Sequence, residues 1–254
     1  MTLKALGHAV ISGKLHLKSG LHIGAGKETI EIGGIDNPVV KHPHTKEPYV
    51  RGSSLKGKLR FLLEWAFNKI REDGHPWGYD ASSEQSFDQG DPILRIFGTA
   101  AKRDAWKGGP TRLVVRDAPL SRDWVKRVVE NGFDLTEEKT EVVIDRIAGK
   151  AHDKVGPCQT ERVPAGAAFD LEMVFRLYDT GDNGDRDKAC LNWLIAGLGL
   201  LEQDALGGSG SRGYGRVEFK DLKVTLPDGS LKEIGTGHRV NRFSPTEPPA
   251  ILAF

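Results

Sequence analysis

The chain has 254 residues, 38% of them hydrophobic, enough for one sizeable core, and its 36 lysines and arginines nearly cancel its 35 aspartates and glutamates. A formal charge of +1 excludes a globally basic protein, so any contact with nucleic acid has to come from local clusters of cations. No apolar run is long enough to cross a bilayer, residues 1–10 lack the layout of a signal peptide, and Cys158 and Cys190 fit neither a disulfide framework nor a paired-cysteine zinc site, so a cytoplasmic protein with free thiols is expected.

In chain order, residues 8–18 alternate Leu15 and Leu17 with Lys14 and His16, which predicts a half-buried strand. Gly52, Ser53 and Ser54 then offer a helix start with a hydroxyl cap, followed by Leu55, Leu59, Leu62, Leu63, Ala66 and Ile70 at helical spacing. Residues 72–91 are polar, without period, and read as a mobile loop, and 111–117 read as a short strand. Residues 141–146 and 159–163 are expected to pair as arms of a projecting hairpin whose tip, 147–158, holds Lys150, His152 and Lys154. The alternation of Phe169, Leu171, Met173, Phe175 and Leu177 predicts a strand over 167–178, and Leu191, Leu194, Ile195, Leu198 and Leu201 predict an amphipathic helix over 187–203. A strand over 214–226 and an extended proline-rich tail from 244 complete the chain. Without the two long insertions the order is strand, helix, strand, strand, helix, strand: an α+β, ferredoxin-like (RRM-like) βαββαβ pattern.

Of the 31 glycines, twelve cluster at 20–34, 52–57 and 207–215, beside basic residues. Glycine lets the main chain approach a ligand closely, as a phosphate-contacting loop requires, although ordinary turns use it too. Within 205–217, five glycines surround Ser211 and Arg212; the guanidinium offers a bidentate charge and Tyr214 a stacking face. The segment lacks the lysine and the strand-to-helix placement of a nucleotide-binding P-loop.

This loop, between the last helix and the last strand, resembles the C-terminal glycine-rich loop of the RAMP superfamily, the repeat-associated RNA-binding proteins of CRISPR systems. Gly33-Gly34-Ile35-Asp36-Asn37-Pro38-Val39-Val40 and Tyr49-Val50-Arg51-Gly52-Ser53-Ser54-Leu55-Lys56-Gly57-Lys58-Leu59-Arg60 narrow the resemblance to the family-seven backbone proteins of type III-A (Csm) effectors. The stretches at 97–100 (FGTA) and 111–118 (TRLVVRDA) agree, so the likeness spans nearly the whole chain.

The resemblance implies a single RAMP domain over 1–254: a palm with a lid-type insertion at 72–110 and a thumb hairpin at 136–166. It implies a helical filament of copies along a crRNA guide, with other Csm and Cas subunits, whose thumbs enter the guide–target duplex at regular intervals where target RNA is cut. It marks Asp36 as catalytic, with a divalent metal, magnesium or manganese, and a cyclic phosphate end, so that the target's 2′-hydroxyl attacks the neighbouring phosphate while Asp36 holds the metal or orients the hydroxyl. An Asx turn is the plain alternative for Asp-Asn-Pro. The guide-binding surface is expected to combine His22, Arg51, Ser53, Ser54, Lys56, Lys58 and Arg60 with Gly208, Gly210, Ser211, Arg212 and Gly213. Two other readings stay open: a non-catalytic RNA-binding scaffold, and a guide-processing endoribonuclease relying on His22. His42 and His44 read as surface residues rather than metal ligands, and Glu137, Glu141 and Asp145 are secondary candidates for repelling or orienting the target strand.

Overall fold

Alternation over Lys4–Leu17 makes β1, with Ala9, Ile11, Leu15 and Leu17 buried and Lys14 and His16 half-exposed between them. The computed structural model describes residues 3–25, 35–79, 86–100, 105–152, 156–252 and 254, so the expectations for Gly33, Gly34 and Lys154 lie outside the described residues. After β1 come β2 (Tyr49–Val50), α1 (Gly52–Ala66), α2 (Pro92–Phe97), β3 (Leu113–Val115), β4 (Ala118–Pro119) and α3 (Arg122–Glu130). They are followed by β5 (Glu137–Glu141), β6 (Cys158–Arg162), β7 (Ala168–Asp179), α4 (Asp185–Gln203), β8 (Val217–Thr225) and β9 (Leu231–Glu233).

The main sheet has the order β3-β7-β1-β8-β9, and every pairing in it is antiparallel. Leu55, Leu59 and Leu63 of α1 and Leu191, Leu194, Leu198 and Leu201 of α4 share one core with Phe169, Phe175 and Phe219 from the sheet. The helices approach closely where Gly197 of α4 meets Leu63 of α1, since a Cβ there would lie 3.1 Å from Leu63 Cδ1. The chain is thus a mixed α and β protein on an antiparallel sheet. Among the described residues no helix is long and apolar enough to cross a membrane.

Several expectations change. The serines do not cap α1; the Gly52 amide instead donates to Asp117 Oδ1 at 2.7 Å, from the turn after β3. Gly52 is also fixed by space, because a Cβ there would fall 2.4 Å from the Val115 carbonyl oxygen. The helix ends at Ala66, leaving Ile70 exposed rather than on its apolar face. The described part of 72–91 holds no helix or strand, and Asp91 at its end caps α2, accepting from the Leu94 amide at 3.0 Å with Pro92 as first helical residue.

The hairpin forms with a shifted first arm, Glu137–Glu141 rather than 141–146, in the register Glu137↔Arg162 to Glu141↔Cys158. Charge fixes that register: Arg162 Nε meets Glu137 Oε1 at 2.7 Å directly across the strands. Val142, Val143 and Ile144 of the expected arm are exposed beyond it. The tail folds back on α4 through Leu252, whose amide donates to Asn192 Oδ1 at 2.8 Å, and through the indole of Trp193, which donates to the Ser244 carbonyl at 2.9 Å.

Candidate nucleic-acid interface

Asp36 stands on the surface, and its Oδ2 accepts from the Gln159 amide at 3.0 Å, so the carboxylate is anchored to the root of the β5–β6 hairpin. The main chain around it runs along β6: Asn37 N donates to the Gln159 carbonyl at 3.3 Å, and Glu161 N to the Asn37 carbonyl at 3.0 Å. That partner lies across the chain, more than a local Asx turn provides.

Sequence reasoning missed the residue that holds this arrangement, Glu161. Its buried carboxylate accepts from Lys41 Nζ at 2.5 Å and the Thr136 hydroxyl at 2.7 Å through Oε1, and from the Val39 amide at 2.9 Å through Oε2. Its carbonyl lies 2.7 Å from His22 Nδ1. One side chain therefore ties the Asp36 segment to both arms of the hairpin. The available signal was an acidic residue turned inward on a strand, facing a lysine on the segment after Asp36.

Burial alone would raise Glu161; the Lys41 ammonium, the Thr136 hydroxyl and the Val39 amide outweigh it and hold the carboxyl below its ordinary value of 4.5. With the folded value depressed, this stabilisation is present above the ordinary value and fades as pH falls through the depressed one. Glu161→Gln should lower the denaturation midpoint at neutral pH and flatten the loss of stability below about pH 4.5, the ordinary value, in chemical denaturation across a pH series.

The glycine loop is folded against Gly20 and His22. The amides of Gly208 and Gly215 each donate at 2.9 Å, to the carbonyls of His22 and Gly20, and those of Arg212 and Gly213 close a short turn over Gly210–Arg212. Gly207 and Gly215 are demanded by packing, since a Cβ would lie 2.3 Å from the His22 oxygen and 1.9 Å from the Leu206 oxygen. These four main-chain donors are therefore engaged within the protein. Tyr214 is not an open stacking face. It is buried, with Lys139 Nζ 4.4 Å and Arg162 Cζ 5.1 Å from its ring centre, which locks the loop to the hairpin.

Two clefts flank the loop. The first, about 520 Å³, is lined by His22, Asn37, Lys139, Glu141, Ser209 and Arg212, and so joins the Asp36 segment, hairpin root and glycine loop. The second, about 810 Å³, is lined by Lys18, Ser19, Lys58, Ser211, Gly213 and Arg216. The exposed Arg212 lines the first and reaches Glu141 at 3.5 Å.

The predicted residues on α1 divide. Ser53 is exposed on the first turn, with half-buried Ser54 beside it, and Lys58 faces the second cleft, paired with Asp204 at 2.9 Å. Arg51 donates to the Ala25 carbonyl at 3.1 Å, bracing the segment after His22. Lys56 turns inward and donates to the Leu113 carbonyl at 2.9 Å; burial first, then Arg60 and Arg176, lower its pKa. Arg60 lies away from the clefts, donating to Glu64 at 2.7 Å and to the Trp77 carbonyl at 2.5 Å.

The secondary acids are paired: Glu137 with Arg162, Glu141 with Arg212 and with Lys139 at 3.3 Å, and Asp145 with the amides of Ile147 and Ala148 in the hairpin tip. His42 Nδ1 accepts from the His44 and Thr45 amides, each at 3.3 Å, making a local turn. Among the described residues no group of three or more metal-ligating side chains gathers. Cys158 is exposed and Cys190 buried, both free, and burial pushes the Cys190 thiol up.

Known proteins resemble this chain. The model of the RAMP superfamily matches residues 14–218. A relative from Methanocaldococcus jannaschii, named CRISPR system Cms endoribonuclease Csm3, is 40% identical over 225 residues, covering 88% of this chain and 82% of its own length. The chain belongs to the RAMP superfamily, in its Csm3 family. A RAMP relative of the same name from Streptococcus thermophilus is 39% identical over 220 residues, 86% of this chain and 90% of its own. The crystal structure of Methanopyrus kandleri Csm3 superposes with a TM-score of 0.54 at 28% identity, covering 91% of this RAMP chain and 78% of that one. A Csm3–Csm4 subcomplex of the type III-A interference complex matches at 0.52 and 28% identity, covering 92% and 90%.

Proposed function

We propose that the chain is a crRNA-binding backbone subunit of a type III-A effector, placed in several copies along the guide with other Csm and Cas subunits, and that Asp36 cuts the paired target RNA. The observation that carries this reading is the seat of Asp36: an exposed carboxylate bonded to the hairpin root, next to Asn37, which lines a cleft shared with Ser209 and Arg212 of the glycine loop. The relatives' names, which say endoribonuclease, and the subcomplex with Csm4 support the activity and the partners.

The path β1-α1-β3-β7-α4-β8 and the sheet order support a ferredoxin-like palm. In this reading the β5–β6 hairpin, within 136–166, is the thumb, and 72–110 is the lid. A lone exposed carboxylate fits a magnesium or manganese ion that takes most of its remaining ligands from substrate phosphates and water. Such an ion would supply charge neutralisation at the scissile phosphate. Asp36 either holds it or orients the 2′-hydroxyl, while Arg212, Lys58 and the hydroxyls of Ser53 and Ser211 hold the guide's phosphates.

The test is an assembled complex carrying Asp36→Ala, supplied with guide and matching target: the target should remain uncut, and cutting at the parental rate would leave only the scaffold role. Incubating the isolated chain with precursor repeat RNA separates the processing role, since cutting within the repeat would favour His22 over Asp36. For guide binding, Arg212→Ala should weaken affinity across unrelated sequences and reduce the slope of log affinity against log salt by about one charge's worth. A filter-binding titration at several salt concentrations reads both, and a loss confined to one sequence would contradict a phosphate contact.

A further inference from the structure

We propose that the outer face of α1 carries a base-stacking subsite for single-stranded RNA, centred on Trp65 and backed by Phe61, a proposal that rests on the RNA-binding reading above. Trp65 is 56% exposed, whereas Trp77 is half-buried and Trp106, Trp124 and Trp193 are buried. Phe61, one turn earlier and also exposed, meets it edge to face with ring centres 6.2 Å apart. Lys58 Nζ lies 4.9 Å from the centre of the Phe61 ring. The same lysine, paired with Asp204, lines the cleft that holds Lys18, Glu202, Ser211 and Arg216, so the aromatic pair sits next to that cleft through Lys58.

A second observation on this face concerns Gly57, one turn before Phe61 and inside the helix. A Cβ there would meet nothing within 4 Å, in contrast to Gly52, whose hydrogen is required by the Val115 carbonyl. Glycine weakens a helix interior relative to alanine, so its presence needs a reason that this chain's own packing does not provide. Close approach of an external backbone supplies one. The stripe Ser53, Gly57, Phe61, Trp65 thus runs from a polar helix start, past a bare turn, to an open indole.

The chemistry of the stripe selects its occupant. A protein partner's contact centres on a broad desolvated apolar patch, whereas here the exposed rings of Phe61 and Trp65 form a narrow strip bordered by Lys58 and Asn68, with Ile70 exposed beyond the helix end and Gly57 and Ser53 leading away along the helix. Cations in a cleft next to exposed rings suit a phosphodiester chain whose bases stack without regard to sequence.

Trp65 emission reads the test directly, because it is the most exposed of the five indoles. Adding single-stranded RNA of guide sequence to the full chain should quench that emission and shield it from acrylamide, and a Trp65→Phe variant should lack the response. Trp65→Ala should weaken RNA binding roughly five-fold or more, with Trp65→Phe losing less. Gly57→Ala should raise the melting temperature yet weaken RNA binding, a combination that a merely structural glycine would not give. Unchanged affinity in Trp65→Ala, with an indole still open to acrylamide in the bound protein, would overturn the stacking subsite and leave the RNA-binding reading intact. Failure of the parent chain to bind the RNA at all would overturn that reading itself. Self-association without RNA that vanishes in Trp65→Ala would assign the face to a second copy and likewise overturn the proposal.

Discussion

Replacing Asp187 by alanine is expected to lower the free energy of unfolding by about 3–5 kcal/mol, the range for breaking a buried charge pair by removing one partner. Asp187 lies in the first turn of α4, and its side chain and those of Arg95 and Arg112 are fully buried. Its Oδ1 accepts from Arg95 Nη1 at 2.7 Å, and its Oδ2 from Arg112 Nε at 3.0 Å and the Tyr178 amide at 2.9 Å. Alanine would leave two guanidinium groups in the interior with no counter-ion. Domains of this kind are stable by only about 5–15 kcal/mol in all, so the variant would sit near the edge of unfolding. A denaturant titration measures the effect directly. Exchanging all three residues together for apolar ones of similar volume should cost far less than Asp187→Ala alone, because no charge is then stranded. A loss under about 1 kcal/mol in the single variant would show that the arginines find other partners, and would sink this view of the triad.

Asp36→Ala should slow target cutting by about 10²–10⁴-fold, the usual contribution of a positioned acid–base group, while guide binding and stability change little. The stability effect is small because the carboxylate is exposed and makes one bond to a backbone amide, worth about 0.5–1.5 kcal/mol. Asp36→Asn separates charge from position. Asparagine keeps an acceptor for the Gln159 amide but carries no charge, so it should be as inactive as alanine if the carboxylate meets the metal or the hydroxyl. Recovery of cutting in Asp36→Asn would mean that residue 36 serves only to seat the hairpin. Single-turnover cleavage of a labelled target at saturating complex distinguishes these outcomes.

Much of the body was legible because burial imposes period. The alternation from Phe169 to Leu177 and the spacing from Leu191 to Leu201 predicted β7 and α4 to within two residues. Elements closed by contacts distant in sequence were not legible. Nothing near Gly52 announces Asp117 as its cap, and the hairpin register depends on Glu137 facing Arg162 rather than on the apolar run at 142–144. Tyr214 looked available in a glycine loop, but Lys139 and Arg162 cover it from a segment over fifty residues upstream. α2 was the miss with a local signal, since Asp91-Pro92 is an N-cap followed by proline at the first helical position. At the site, the motif marked Asp36, whereas its support by Glu161 depends on four groups brought together only by folding.

The main sheet is flanked on both sides by three-residue strands, Leu113–Val115 and Leu231–Glu233, the latter wholly exposed and bearing Lys232 and Glu233. Such short, charged margins give a neighbouring molecule almost no ladder to extend. A protein whose proposed work sets many identical copies side by side would otherwise risk fusing through its sheets. Blunt margins leave the loops and helix faces as the surfaces through which copies can meet, so the order of the assembly can be dictated by the RNA rather than by the stickiness of its parts.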